Sequence, residues 1–168
     1  MLARLATHRY TLRIALGALA AALLAYGLIG KAPATQRPAP PLPGRALSGR
    51  PVTLADLHGH AAVVLFFASW CPPCRQEAPA VAAFARSPAG HGHIVAIDYD
   101  DGGDWRAFLR RYDWTLPVLD DSSGETGAAF QIGHLPTVVF INADGRIASM
   151  RSGAQTVSSL DRGLAGAA

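Results

Sequence analysis

Phe67-Ala68-Ser69-Trp70-Cys71-Pro72-Pro73-Cys74-Arg75-Gln76-Glu77 decides how the rest of the chain is read, because it contains the only two cysteines in the sequence. Before it lies Ala62-Val63-Val64-Leu65-Phe66-Phe67-Ala68, a short apolar run rich in β-branched and aromatic residues, as in a strand buried on both faces. After it, Ala78, Val81, Ala82 and Phe84 recur at helical spacing through Arg86. The two prolines suit a first helical turn, where a missing N–H costs nothing. The cysteine pair therefore falls where a buried strand ends and a helix begins. Free N–H groups and the helix dipole favour negative charge there, and the thiolate is the reactive form of cysteine.

The spacing narrows the chemistry. A structural zinc site needs four ligands, and no second cysteine pair or suitably spaced histidine pair supplies them. A disulfide across so short a loop removes little chain entropy, so it staples poorly and switches well between dithiol and disulfide. Redox chemistry at Cys71 and Cys74 is the reading that remains.

Around this centre the chain divides into four stretches. Residues 1–13 are short and positive, and Ile14 to Gly30 is an unbroken apolar run of seventeen residues. That run is longer than a typical signal-peptide core and near the lower limit for a membrane-spanning helix, so residues 14–30 are expected to form a transmembrane helix or uncleaved signal anchor. Positive flanks stay cytoplasmic, which makes 1–13 a cytoplasmic leader and puts the rest outside the inner membrane. Ala32-Pro33-Ala34 offers the alternative of a cleaved signal and a soluble periplasmic protein. Residues 31–44, with Pro33, Pro38, Pro40, Pro41 and Pro43, are expected to form an extended linker, and 45–168 the folded domain. Arg4, Arg9, Arg13 and Lys31 account for the basic balance. Beyond them eleven arginines face twelve acids, so nothing in the folded part points to nucleic acid.

Within the domain, Val52-Thr53-Leu54 is a strand candidate and His93 to Asp98 a second buried strand. Asp104 is a plausible cap for a helix from Trp105 to Tyr112. Leu116 to Leu119 reads as an edge element, since Pro117 cannot donate to a ladder. Glu125 to Phe130 suggests a helical turn or two. Thr137 to Ile141 and Arg146 to Met150 flank an Asn-Ala-Asp-Gly turn as a hairpin, and Thr156 to Leu164 closes the chain as an amphipathic helix. This order predicts an α/β domain with a mixed sheet.

The segment from Phe67 to Pro79, the Val52-Thr53-Leu54-Ala55-Asp56-Leu57 stretch and Leu135-Pro136-Thr137-Val138-Val139-Phe140-Ile141 with Asp144-Gly145 together resemble membrane-anchored thioredoxin-like proteins of the TlpA/ResA type. The resemblance spans about residues 42–165. It implies a thioredoxin-like fold, a mixed central sheet flanked by helices, entered through an N-terminal hairpin around Val52 to Leu57. It implies that Cys71 attacks a substrate disulfide and that Cys74 resolves the mixed disulfide, forming a redox-active Cys71–Cys74 disulfide. Pro136 would be a cis proline facing the cysteines, presenting the Leu135 backbone to an extended substrate. Glu77 would tune the thiols or relay a proton to Cys74, with a solvated helix charge as the alternative. Trp70 would shield the site, or serve as a rim aromatic. No cofactor is implied.

The partners implied are protein thiol and disulfide substrates, such as apocytochrome c or copper-protein assembly factors, and a membrane electron donor of the thiol–disulfide interchange type. Departures from the family pattern matter too. Leu65 stands where many thioredoxin-like proteins carry a buried acid or amide, which shifts proton transfer towards Glu77 or water. Phe67 replaces a frequent Trp, and His134 a frequent Gly. His134 either borders the groove or is a loop residue.

The expected activity is extracytoplasmic protein-disulfide reduction, because a Pro-Pro dipeptide supplies no histidine to stabilise a thiolate. An oxidase or isomerase of secreted proteins is the alternative. A copper-binding module using His58-Gly59-His60 and His91-Gly92-His93 is a weaker one. The acidic stretch Asp98 to Asp104 lacks the twelfth-position Glu of a calcium loop and reads as a loop plus helix cap.

Overall fold

The structure is a computed structural model that describes residues 37–99 and 102–168. The leader and the expected anchor at 14–30 lie outside the described residues. Among the described residues no helix is long and apolar enough to cross a membrane.

Six strands form one mixed sheet in the order β1-β4-β3-β2-β5-β6: β1 (Ala46–Ser48), β2 (Ala62–Phe67), β3 (Ile94–Tyr99), β4 (Val118–Asp121), β5 (Thr137–Ile141) and β6 (Ile147–Ser152). Strands β2, β3 and β4 run parallel, whereas β5 is antiparallel to both β2 and β6, and β1 to β4. Among the described residues four helices accompany them: α1 (Pro72–Arg86), α2 (Trp105–Arg111), α3 (Glu125–Phe130) and α4 (Val157–Ala165). This is the thioredoxin-like α/β fold with a mixed sheet.

Strand β2 has no exposed residue because both faces are covered, which is why it reads as an unbroken apolar run. Its alternation divides the core. Val63, Leu65 and Phe67 pack with Ala78, Val81 and Phe84 of α1, Phe108 of α2 and Leu160 of α4. Ala62, Val64 and Phe66 face the other way, towards Leu57, Phe130 and Ile132. Helix α4 seats on β5 through Gly163, where any Cβ would fall inside the Phe140 ring. Pro79 removes one helical donor from α1, and the buried Trp114 indole N–H binds the neighbouring Ala78 carbonyl at 2.9 Å. Asp104 caps α2 by accepting from the Ala107 N–H, as its position suggests.

Three expectations are corrected. No entry hairpin forms. Val52 to Leu54 is not a strand, because the Asp56 carboxylate accepts from both the backbone N–H and the hydroxyl of Thr53 and closes a 3-10 turn over Ala55–Leu57. The N-terminal strand is β1, which pairs with the distant β4 and is joined to it by an Arg45–Asp120 ion pair. Nor is Leu116 to Leu119 an edge. Pro117 only precedes β4, its carbonyl accepts from the Ala96 N–H, and β4 lies between β3 and β1. Finally, residues 37–39 belong to the stretch expected as linker, yet they dock on the free edge of β6. Ala39 N–H binds the Gly145 carbonyl and Ile147 N–H binds that of Arg37, while Pro38 sits between them without a donor. The Arg37 guanidinium then satisfies the carbonyls of Ala129 and Phe130 at the end of α3.

Candidate active site

Strand β2 delivers the chain to the site and α1 begins there. Cys71 is the N-cap of α1, with extended backbone, and Pro72 and Pro73 fill the first two helical positions. The Cys71 Sγ accepts from the Cys74 backbone N–H at 3.4 Å, so this sulfur takes the place of the usual capping oxygen. Both cysteines are reduced and buried, Cys74 the more deeply. Trp70, by contrast, is half exposed and is the large hydrophobic side chain that the described surface presents. Arg75 turns back, its Nε–H binding the Ser69 carbonyl at 2.9 Å and tying the loop ahead of Cys71 to the helix.

The wall opposite is the loop before β5. The Leu135–Pro136 peptide is cis. Cys71 Sγ lies 3.7 Å from the Leu135 carbonyl oxygen, within reach of an S–H···O bond. The loop is held from behind: the Thr137 hydroxyl donates to the His134 carbonyl, and Gly153 N–H to that of Pro136. A groove of about 440 Å³ runs between the two walls, lined by Trp70, Cys71, Tyr99, Ile132, His134 and Leu135. Tyr99 leaves the end of β3, and its ring lies on Gly127, where a Cβ would overlap it.

Beneath the cysteines Glu77 is buried in the second turn of α1. Its Oε2 accepts from the Gln155 backbone N–H at 2.9 Å, while Oε1 is buried without a hydrogen-bond partner. Burial pushes the Glu77 carboxyl up to about 7, against the partial opposition of the Gln155 bond. Cys74 is held well above the usual thiol range, first by burial, then by its contact with Cys71 and by the charge of Glu77. One turn of helix thus pairs a thiol that resists ionisation with a carboxyl that titrates near neutrality.

Six residues singled out in the sequence therefore converge: Trp70, Cys71, Cys74, Glu77, Leu135 and Pro136. His134 borders the groove. Leu65 is fully buried in the same apolar cluster as the cysteines, so β2 offers no titratable group beneath them. The histidine pairs lie elsewhere. His60 and His93 meet edge to face at 5.0 Å, and His93 Nδ1 is bonded to the Ala61 carbonyl. They sit at the starting ends of β2 and β3, whereas Cys71 follows the end of β2, roughly 20 Å of strand away. Among the described residues no group of three or more His, Cys, Asp or Glu side chains is placed to hold a metal ion. Sequence reasoning missed Gln155, which contributes only a backbone N–H, and Tyr99, whose place in the groove follows from the bare helix surface at Gly127.

The sequence pattern of the AhpC/TSA family matches residues 31–150. The chain is 35% identical over 113 residues to the thiol-disulfide oxidoreductase ResA of Oceanobacillus iheyensis, an alignment covering 66% of this chain and 58% of that protein. It is 31% identical to the thioredoxin-like protein YneN of Bacillus subtilis, covering 75% of this chain and 76% of that one. Among solved structures it is similar to a secreted Mycobacterium tuberculosis disulfide oxidoreductase described as homologous to E. coli DsbE. The TM-score is 0.61 and the identity 28%, over 74% of this chain and 94% of the other.

Proposed function

The chain belongs to the AhpC/TSA family, among its thioredoxin-like thiol–disulfide oxidoreductases of the ResA type, and from that premise we propose that it is an extracytoplasmic reductase of protein disulfides. The observation that carries the direction is the Pro72–Pro73 pair in the first helical turn, which places no cationic or imidazole side chain between the cysteines. A strong disulfide oxidant is one whose reduced form is stabilised. Here burial and a neighbouring carboxylate oppose ionisation of Cys74, and the Pro-Pro pair adds no cation. Between Cys71 and Cys74 no charged side chain adds to the helix N-terminus in stabilising the thiolate of the reduced form, which favours electron donation.

In the proposed cycle the Cys71 thiolate, at the helix N-terminus, attacks one sulfur of a substrate disulfide lying along the cis-proline wall. A Cys71–substrate disulfide forms and the other substrate sulfur leaves as a thiolate, taking up a proton from solvent. Cys74 then gives its proton to the Glu77 carboxylate, directly or through a water, and attacks Cys71. The Cys71–Cys74 disulfide forms and the second substrate thiolate departs. Two electrons pass from enzyme to substrate in all. Pro136 and Leu135 form the substrate wall, and Trp70 covers the outer side of the cysteine loop. The positive leader, the apolar run at 14–30 and the secreted character of the mycobacterial neighbour support a domain outside the inner membrane, anchored by that run. An oxidising compartment holds no dithiol pool to recharge the enzyme, so a membrane electron donor completes the reading.

Cys74→Ser tests it. Incubated with extracytoplasmic protein extract, this variant is expected to accumulate disulfide-linked adducts on Cys71 that dithiothreitol releases and that Cys71→Ser never forms. Absence of adducts from an alkylatable Cys71 would remove the mechanism.

A further inference from the structure

Trp70 separates two clefts of different character. The groove on its cis-proline side is lined by Cys71, Tyr99 and His134 beside apolar residues, with no carboxylate or guanidinium among the described lining residues. On its other side Trp70, Arg75, Asp104, Phe108, Arg111 and Tyr112 line a cleft of about 380 Å³, between the start of α1 and the length of α2. Three aromatic rings and two guanidinium groups face this space.

Among the described residues the ion pairs are Arg45–Asp120, Arg50–Asp56 and Arg86–Asp113, and neither Arg75 nor Arg111 has a carboxylate partner. Arg75 spends only its Nε–H, on Ser69, which orients the group and leaves both terminal nitrogens for a planar acceptor. Arg111 lies 5.8 Å from the Tyr112 ring centre, a contact that steadies a guanidinium without consuming its donors. Asp104 is the carboxylate among the described lining residues, and its Oδ1 is taken by the Ala107 N–H as the cap of α2. Among the described lining residues two guanidinium groups thus face one carboxylate. Both guanidinium groups are exposed, so an ion pair formed there is open to solvent and screened by salt.

We propose that this cleft is a carboxylate-reading subsite, receiving an aspartate or glutamate side chain of a partner protein a few residues from the disulfide that Cys71 attacks. The inference rests on the reductase reading and adds to it the chemical class of partner. Cys71 follows Trp70 directly and Arg75 follows Cys74, so a substrate cysteine bound at Cys71 brings its neighbouring residues within reach of Arg75 on one side and the neutral groove on the other. Partners with acidic flanks are selected and those with basic flanks rejected, through complementarity that is lost as salt rises.

The test uses the full chain, reduced, and short peptides with one intramolecular disulfide flanked on either side by Glu, Gln or Lys. For the wild type at low salt, kcat/KM is expected to be about fivefold higher with Glu than with Gln on one flank, and lower still with Lys. In an Arg75→Gln, Arg111→Gln double variant the Glu-to-Gln ratio is expected to fall to about one, and in the wild type to shrink at high salt. Because the readout is a ratio within one protein preparation, a change in folded fraction does not alter it. Equal turnover of Glu and Gln peptides by the wild type overturns the subsite while leaving the reductase reading intact, as does a ratio that survives in the double variant. Failure to reduce any peptide, with Cys71 still open to alkylation, overturns the reductase reading and the subsite with it.

Discussion

Two buried carboxylates sit in different regions of this protein and are treated in opposite ways. Asp121, at the end of β4, is 3% exposed, and Glu77, in α1, is 2% exposed. Asp121 is fully matched: its two oxygens accept from the Thr126 and Gly127 N–H groups at 2.9 and 2.7 Å, at the first turn of α3. Glu77 is matched on one side only, by Gln155, with its other oxygen left bare. Equal burial with unequal satisfaction separates the two, and the proposed proton relay falls to the half-matched carboxylate. Burying a charge without partners costs stability, and the fold accepts that cost next to Cys74.

The contrast predicts opposite responses to removing the two groups. Asp121→Ala is expected to destabilise the protein by about 3 kcal/mol, measured by chemical denaturation, because two helix N–H groups lose a charged acceptor. A loss below about 1 kcal/mol would break the comparison at its structural end.

Glu77 should behave in reverse. Its folded pKa of about 7 lies above its ordinary 4.5. Between those values the unfolded chain releases this proton and the folded one keeps it. The stabilising contribution is therefore complete below pH 4.5 and is lost as pH rises through 7. Over that window wild type should lose up to about 3 kcal/mol that Glu77→Gln does not lose, so the variant becomes the more stable protein above neutrality. The same substitution should flatten the pH dependence near 7 of mixed-disulfide resolution, followed by rapid-quench kinetics. An unchanged profile would leave Glu77 as an idle buried acid.

Smaller effects refine the surroundings of each carboxylate. Gly127 donates to Asp121 and also carries the Tyr99 ring, so Gly127→Ala is expected to cost about 2 kcal/mol and to lower peptide kcat/KM by moving the groove wall. Trp114→Phe removes the indole bond to Ala78 near the α1 proline and shrinks a buried ring packed on Phe67 and Phe108, and about 2 kcal/mol should follow in thermal denaturation.

Legibility in the sequence divides along similar lines. The buried strand, the cysteine turn, α1 and the β5–β6 hairpin are local patterns, written in periodicity, proline placement and an Asn-Ala-Asp-Gly turn, and the structure has them all. Resemblance supplied the cis bond at Pro136, which no local signal encodes. Non-local pairing was not legible. Nothing in Ala46-Leu47-Ser48 says that its partner is Val118 and Leu119, and a proline-rich run gives no sign that Ala39 and Arg37 will hydrogen-bond β6. Val52 to Leu54 has strand composition, but Asp56 bonds its backbone first, a side-chain capture that outcompetes a ladder. At the site, Glu77 could be picked from its spacing to Cys74, whereas the half-satisfied state that distinguishes it depends on the Gln155 backbone, delivered by a segment seventy-eight residues away.

The direction of electron flow is the claim on which the account turns, and the equilibrium reduction potential of the Cys71–Cys74 pair tests it most directly. Redox titration against glutathione or dithiothreitol, read by alkylation of the free thiols, is expected to place it near or below the value of about −270 mV typical of thioredoxin. A potential close to that of a strong oxidant, about −120 mV, would contradict the account and make the protein an oxidase.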